Sequence, residues 1–181
     1  MKNVKLIVAF LVFLLVCAVG YSLFKTSPTE NIQADNSKPD TLDVLKIEKE
    51  VNTSKQDSIV NFALKYLGTP YVYGSCSKDG FDCSGFVYFV FKNFKIEVPR
   101  SSSEYKTFGK TMGIDKIEKG DILVFLSPTR NEIGHLGIVT NPKGMETEFI
   151  HSSSGKEMMV ILSSLKEAGY NRRFVKAIRV L

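Results

Sequence analysis

Apolar residues run unbroken near the start of the chain, recur at helical spacing around residue 60, and then come in short bursts towards the end. The first run, Leu6–Phe24, is 19 uncharged and mostly apolar residues, preceded by Lys2 and Lys5. That pattern predicts an export signal. Ala18-Val19-Gly20 supplies the small residues a signal peptidase prefers, and the run is also long enough to cross a bilayer as an uncleaved anchor. Cys17 offers a third outcome, lipid modification, although Val16 is bulkier than that processing accepts. An exported protein is expected, in the periplasm or cell envelope, either released or attached to a membrane through residues 6–24. Residues 25–52 are polar, mixed in charge and nearly free of aromatics, so they cannot bury enough surface to fold alone and read as a tether. One domain, residues 53–181, follows.

Within that domain Ile59, Phe62, Ala63, Tyr66 and Leu67 share one helical face, and Gly68 with Pro70 ends the run. A polar loop, GSCSKDG, leads to GFDCSGF and then to FVYFVF at residues 86–91. β-Branched and aromatic residues make FVYFVF a strand by propensity. Asp82 could equally cap a helix that begins at Cys83 and is buried all round. After VPRSSSEY come GDILVFLS, HLGIVT, EFIHSSS, MMVILSS and VKAIRVL, short β-rich segments mostly bounded by Gly, Pro, Asn or Ser. Helices first and strands afterwards predict an α+β domain with an antiparallel sheet.

Charge narrows the classes of partner. Residues 1–53 carry six basic and six acidic side chains, whereas 54–181 carry 18 basic and 13 acidic, so the net charge of +5 belongs to the domain. A moderate excess of this kind suits an anionic polymer or surface. No basic run or basic–aromatic repeat of the nucleic-acid-binding sort is present, so nucleic acid is not an expected partner. Besides Cys17 the chain has Cys76 and Cys83. Export permits a disulfide, but a bond to a nucleophilic Cys83 would silence it, and both thiols are expected free.

The chain has only two histidines, His135 and His151, each in a predicted strand. A cysteine nucleophile needs a base, and the base needs a third group to fix its ring. Cys83, His135 and His151 can fill those three roles, although a buried cysteine often only packs and a strand histidine is often a satisfied core residue. A helix start at Cys83 would favour the thiolate, since thiol pKa values fall from about 8.5 to as low as about 3.5 in such settings. Asp82 opposes that effect and is assigned to backbone hydrogen bonding. A zinc site from Cys76, Cys83, His135 and His151 is disfavoured, because the cysteines are too far apart for a zinc knuckle and the histidines sit on separate strands.

The motifs GTPYVYG, GFDCSGFV, VPRSSSEY, KGDILVF, GHLGIV and FIHSSS, in that order, resemble those of the NlpC-type peptidoglycan endopeptidases, papain-like cysteine peptidases of bacterial cell walls. The resemblance spans about residues 55–181. It implies a papain-like fold with N-terminal helices packed on a central antiparallel sheet, and a helix, not a strand, beginning at Cys83. It implies Cys83 as nucleophile, His135 as general base and His151 as the group orienting that base. Tyr71, ahead of Tyr73, is implied to help shape the oxyanion site. Ser84, with Gly85, is expected to let substrate and backbone approach the thiol, and Arg100 to stand beside the cleft. Ser75-Cys76 replaces a second glycine common in the family, which bears on the shape of the cleft.

A monomeric hydrolase with no metal or other cofactor is expected. The resemblance implies that it acts on peptidoglycan stem peptides, at the bond between γ-D-glutamate and a diamino acid. Two rivals stand beside it: a non-catalytic wall-binding module, and an amidase or acyltransferase using the same Cys–His site.

Overall fold

The computed structural model describes residues 54–181. The predicted export signal and tether therefore lie outside the described residues. Helix α1, Lys55–Leu64, starts at Ser54, whose Oγ accepts the Asp57 amide at 3.0 Å. It turns Ile59, Val60 and Ala63 inward. The periodicity predicted one turn more, to Leu67, but the helix stops at Leu64 and Leu67 is 46% exposed. The reason is tertiary. The Gly68 amide donates to the Val160 carbonyl at 2.9 Å and Val160 returns a bond to Thr69 at 2.8 Å, so the chain leaves the helix to run along a strand edge.

A two-stranded ribbon follows, β1 Cys76–Ser77 and β2 Gly80–Phe81. Helix α2, Cys83–Asn93, carries FVYFVF. Phe86, Val87, Val90 and Phe91 are fully buried, and each such side chain contributes about 1.5–3 kcal/mol by leaving water. Asp82 decides the local contest between strand and helix, since its Oδ1 accepts the Gly85 amide at 2.6 Å and caps the first turn. A 3₁₀ turn, Ser102–Lys106, leads into the sheet.

The sheet comprises β3 Lys110–Met112, β4 Ile122–Leu126, β5 Ile133–Asn141, β6 Glu148–Ser152, β7 Val160–Ser164 and β8 Phe174–Arg179, in the order β3-β8-β4-β5-β6-β7. Every neighbouring pair is antiparallel. A short helix α3, Ala168–Arg173, precedes β8. Alternation along the strands splits the sheet between two cores. Ile122, Val124, Leu136, Ile138, Ile150 and Ile178 meet α1 and α2. Leu123, Phe125, Val139, Phe149 and Ala177 pack with Leu165, Tyr170 and Phe174 on the opposite face. The expected α+β arrangement, helices first and an antiparallel sheet after, is the one the chain adopts.

Candidate active site

Cys83 is the first residue of α2, and only 9% of it is exposed. Its Sγ donates to the Gly134 carbonyl at 3.6 Å. That carbonyl is available because of a bulge: Phe125 pairs with His135 and Leu126 with Ile133, leaving Gly134 unpaired between them. A Cβ on Gly134 would lie 2.8 Å from Ser127 Cβ and 3.2 Å from its Cα, so only glycine fits there. The bulge delivers His135 immediately beyond.

His135 and His151 stand on neighbouring strands. The pairing of Ile138 with Ile150 sets His151 one diagonal step from His135, and His135 Nε2 meets His151 Nδ1 at 2.9 Å. His151 is fully buried, and its Nε2 reaches Ser163 Oγ at 3.1 Å and the Tyr170 hydroxyl at 3.3 Å. Ser163 and Tyr170 had no signal in the sequence. Serine in a strand and tyrosine in a short helix are commonplace, and only the fold sets both against one nitrogen.

The structure thus joins the two histidines directly, and brings Cys83 to the residue preceding His135. Sγ and the His135 ring are not hydrogen-bonded to each other. They border adjoining spaces. A cleft of about 440 Å³ takes in Cys83, Tyr71, Tyr73, Ser84 and Arg100, and a smaller one of about 140 Å³ takes in His135 and Tyr170. Gly134, Pro128 and Ser154 line both.

Arg100 does more than stand beside the cleft. Its two terminal nitrogens donate to both carboxylate oxygens of Asp82 at 3.0 and 2.7 Å, to Ser84 Oγ at 3.0 Å and to the Gly74 carbonyl at 2.8 Å. This fork ties the loop before β1 to the start of α2 and partly offsets the Asp82 charge. Ser84 is buried and its hydroxyl also donates to Asp82 Oδ1 at 3.2 Å, so it belongs to the clamp. Gly85 admits the Ser75 carbonyl, which a Cβ there would meet at 2.1 Å.

Electrostatics correct one expectation. The helix start does not leave the sulfur ionised. Burial first, and then the Asp82 charge, push the Cys83 thiol up to about 11. The amides of Cys83, Ser84 and Leu136 act in the expected direction, towards the thiolate, but are outweighed. His135 is held well below the ordinary histidine value by burial, by His151 and by Arg173. His151 falls to about 3, chiefly through burial. The resting site is a neutral thiol beside neutral imidazoles. Cys76 is exposed, and both it and Cys83 are free thiols. Among the described residues no three His, Cys, Asp or Glu side chains gather as metal ligands.

The profile of the NlpC/P60 family matches residues 68–179. The chain belongs to the NlpC/P60 family. This NlpC/P60 chain is 31% identical over 131 residues to the murein DD-endopeptidase MepS/murein LD-carboxypeptidase of Escherichia coli K12, covering 72% of this chain and 65% of that protein. It is 30% identical over 132 residues to the γ-D-glutamyl-L-lysine dipeptidyl-peptidase of Bacillus subtilis 168, covering 72% of this chain and 42% of that one. The chain therefore spans less than two-thirds of either relative. Among solved structures, an NlpC/P60 family protein from Bacillus cereus superposes with a TM-score of 0.63 at 28% identity, over 71% of this chain and 41% of that one.

Proposed function

We propose that the chain is an exported cysteine endopeptidase that hydrolyses peptidoglycan stem peptides. The observation that carries the reading is the ordered line of Cys83, bulged Gly134, His135 and His151 at the mouth of a cleft. Family membership and the names of the relatives support the cell-wall substrate. The dipeptidyl-peptidase relative supports the finer choice of bond, between γ-D-glutamate and a diamino acid.

The chemistry follows from the tautomers. If His135 takes the Cys83 proton on Nδ1, then Nε2 already carries a hydrogen and donates it to His151 Nδ1. His151 must in turn hold its own hydrogen on Nε2, which donates to Ser163 Oγ and the Tyr170 hydroxyl. With both partners neutral at rest, proton transfer accompanies attack instead of preceding it. Substrate binding must bring Sγ and Nδ1 into contact, a tightening common to catalytic hydrogen bonds.

The thiolate then adds to the scissile carbonyl. Amides at the start of α2 are placed to receive the oxyanion. Tyr71 can assist as a donor, because burial and the nearness of Cys83 hold its hydroxyl protonated. His135 returns the proton to the leaving amine, and water releases the acyl group.

The test is a digest of purified sacculi analysed by mass spectrometry. Products cut between γ-D-glutamate and the diamino acid, lost in Cys83→Ala, support the reading. Cuts elsewhere refute the proposed bond, and no cuts refute the hydrolase. An exchanged acyl product instead of free peptide would favour the acyltransferase alternative, and a Cys83→Ala protein that keeps its biological role would favour the wall-binding one.

A further inference from the structure

We infer that Arg173, in the small cavity beside His135, is the anchor for a carboxylate carried by the leaving half of the substrate. The inference rests on the peptidase reading and extends it to the leaving-group side of the site.

Arg173 ends α3, and its Nε and Nη1 are committed to the Gly169 and Leu126 carbonyls at 2.9 and 3.2 Å. The guanidinium lies over the Tyr170 ring, 5.1 Å from its centroid. Backbone bonds and the ring hold it in place, and the remaining terminal nitrogen makes no hydrogen bond among the described residues. No acidic side chain among those residues pairs with it, although Arg100 and Arg179 are both neutralised by aspartate. A half-buried, pre-positioned guanidinium without a counter-ion is suited to receive an anion from outside.

The cavity is about 140 Å³, room for a small polar group and not for a whole residue, and its lining includes Ser153, Ser154, Tyr170 and Arg173 with His135. Its position fixes which part of the substrate enters. Sγ attacks the carbonyl from the Cys83 cleft, and the amine that departs must lie next to the His135 ring that protonates it. In a stem that ends at the diamino acid, the leaving amine sits on a carbon that also bears a free carboxylate. That group therefore falls on the His135 side of the scissile bond, where Arg173 waits. The positive charge is also close enough to lower the proton affinity of both His135 and His151.

Two peptides test this, L-Ala-γ-D-Glu-L-Lys with a free C-terminal carboxylate and the same peptide as its C-terminal amide. The wild-type protein is expected to favour the acid by roughly ten- to a hundred-fold in kcat/KM, the range for one charged hydrogen-bonded contact. Arg173→Met is expected to bring that ratio close to one, and Arg173→Lys to keep part of it. A merely structural role would lower both rates and preserve the ratio, and that result overturns the inference. Equal wild-type rates on the two peptides overturn it as well, while leaving the peptidase reading intact. If the wild-type protein cuts neither peptide, the peptidase reading at this bond fails and the anchor goes with it.

Discussion

Burial governs the titration of Cys83 and His135, raising one and lowering the other so that both stay neutral near pH 7. Without substrate, alkylation of Cys83 by iodoacetamide should rise about ten-fold per pH unit until near pH 11, because only the thiolate reacts. Asp82→Asn should move that profile to lower pH, and a plateau already reached at pH 6 would contradict the neutral resting site. The histidines set the stability in acid. A histidine whose folded value lies below its unfolded one binds its proton more readily in the unfolded chain. Stability is therefore complete above about pH 6.5 and lost as pH falls. Between pH 6.5 and 3 His151 should cost about 1.4 kcal/mol per pH unit, and His135 should add to the loss in the same direction, readable from urea unfolding at pH 7 and pH 5. His151→Asn should flatten part of that slope.

At the scale of elements, the bulge in β5 and the start of α2 position everything the residues do. Gly134→Ala would press a methyl into the Ser127 backbone and straighten or displace the bulge. A stability loss of about 1–3 kcal/mol is expected from such crowding, together with a fall in kcat that a thermally matched core variant does not show. Full activity in Gly134→Ala would mean that the bulge does not aim His135. Much of the element plan was legible. Five strands announced themselves because each is long enough to show β-rich composition between breakers. β3, the β1–β2 ribbon, the 3₁₀ turn and α3 did not, being only two to six residues long. FVYFVF was ambiguous by itself, since apolar residues on every side fit a strand and a buried helix alike, and the Asp82 cap decided it. In the site, Cys83, His135 and His151 stood out because cysteine and histidine are scarce in this chain. Ser163, Tyr170 and Arg173 are ordinary residue types, and their meaning comes only from the antiparallel register and the placement of α3.

At the scale of the molecule, an α+β NlpC/P60 domain carries the whole positive excess of the chain, 18 basic against 13 acidic side chains over residues 54–181. If that charge draws the domain to an anionic wall polymer, Cys83→Ala protein should bind sacculi several-fold less at 0.5 M salt than at 0.05 M, since screening shortens the reach of surface charge from well over 10 Å to a few. Salt-independent binding would leave attachment to the N-terminal segment or to contacts of another kind. On the proposed mechanism one sulfur, activated by an imidazole from the far half of the chain, attacks the substrate carbonyl. The most direct measurement is intact-mass and peptide mapping of the protein after exposure to an L-Ala-γ-D-Glu chloromethyl ketone. A single adduct on Cys83, absent from Cys76 and formed at least about a hundred-fold more slowly in His135→Ala, is the result expected of a general base. An adduct on Cys76, or equal labelling rates with and without the His135 ring, would contradict it.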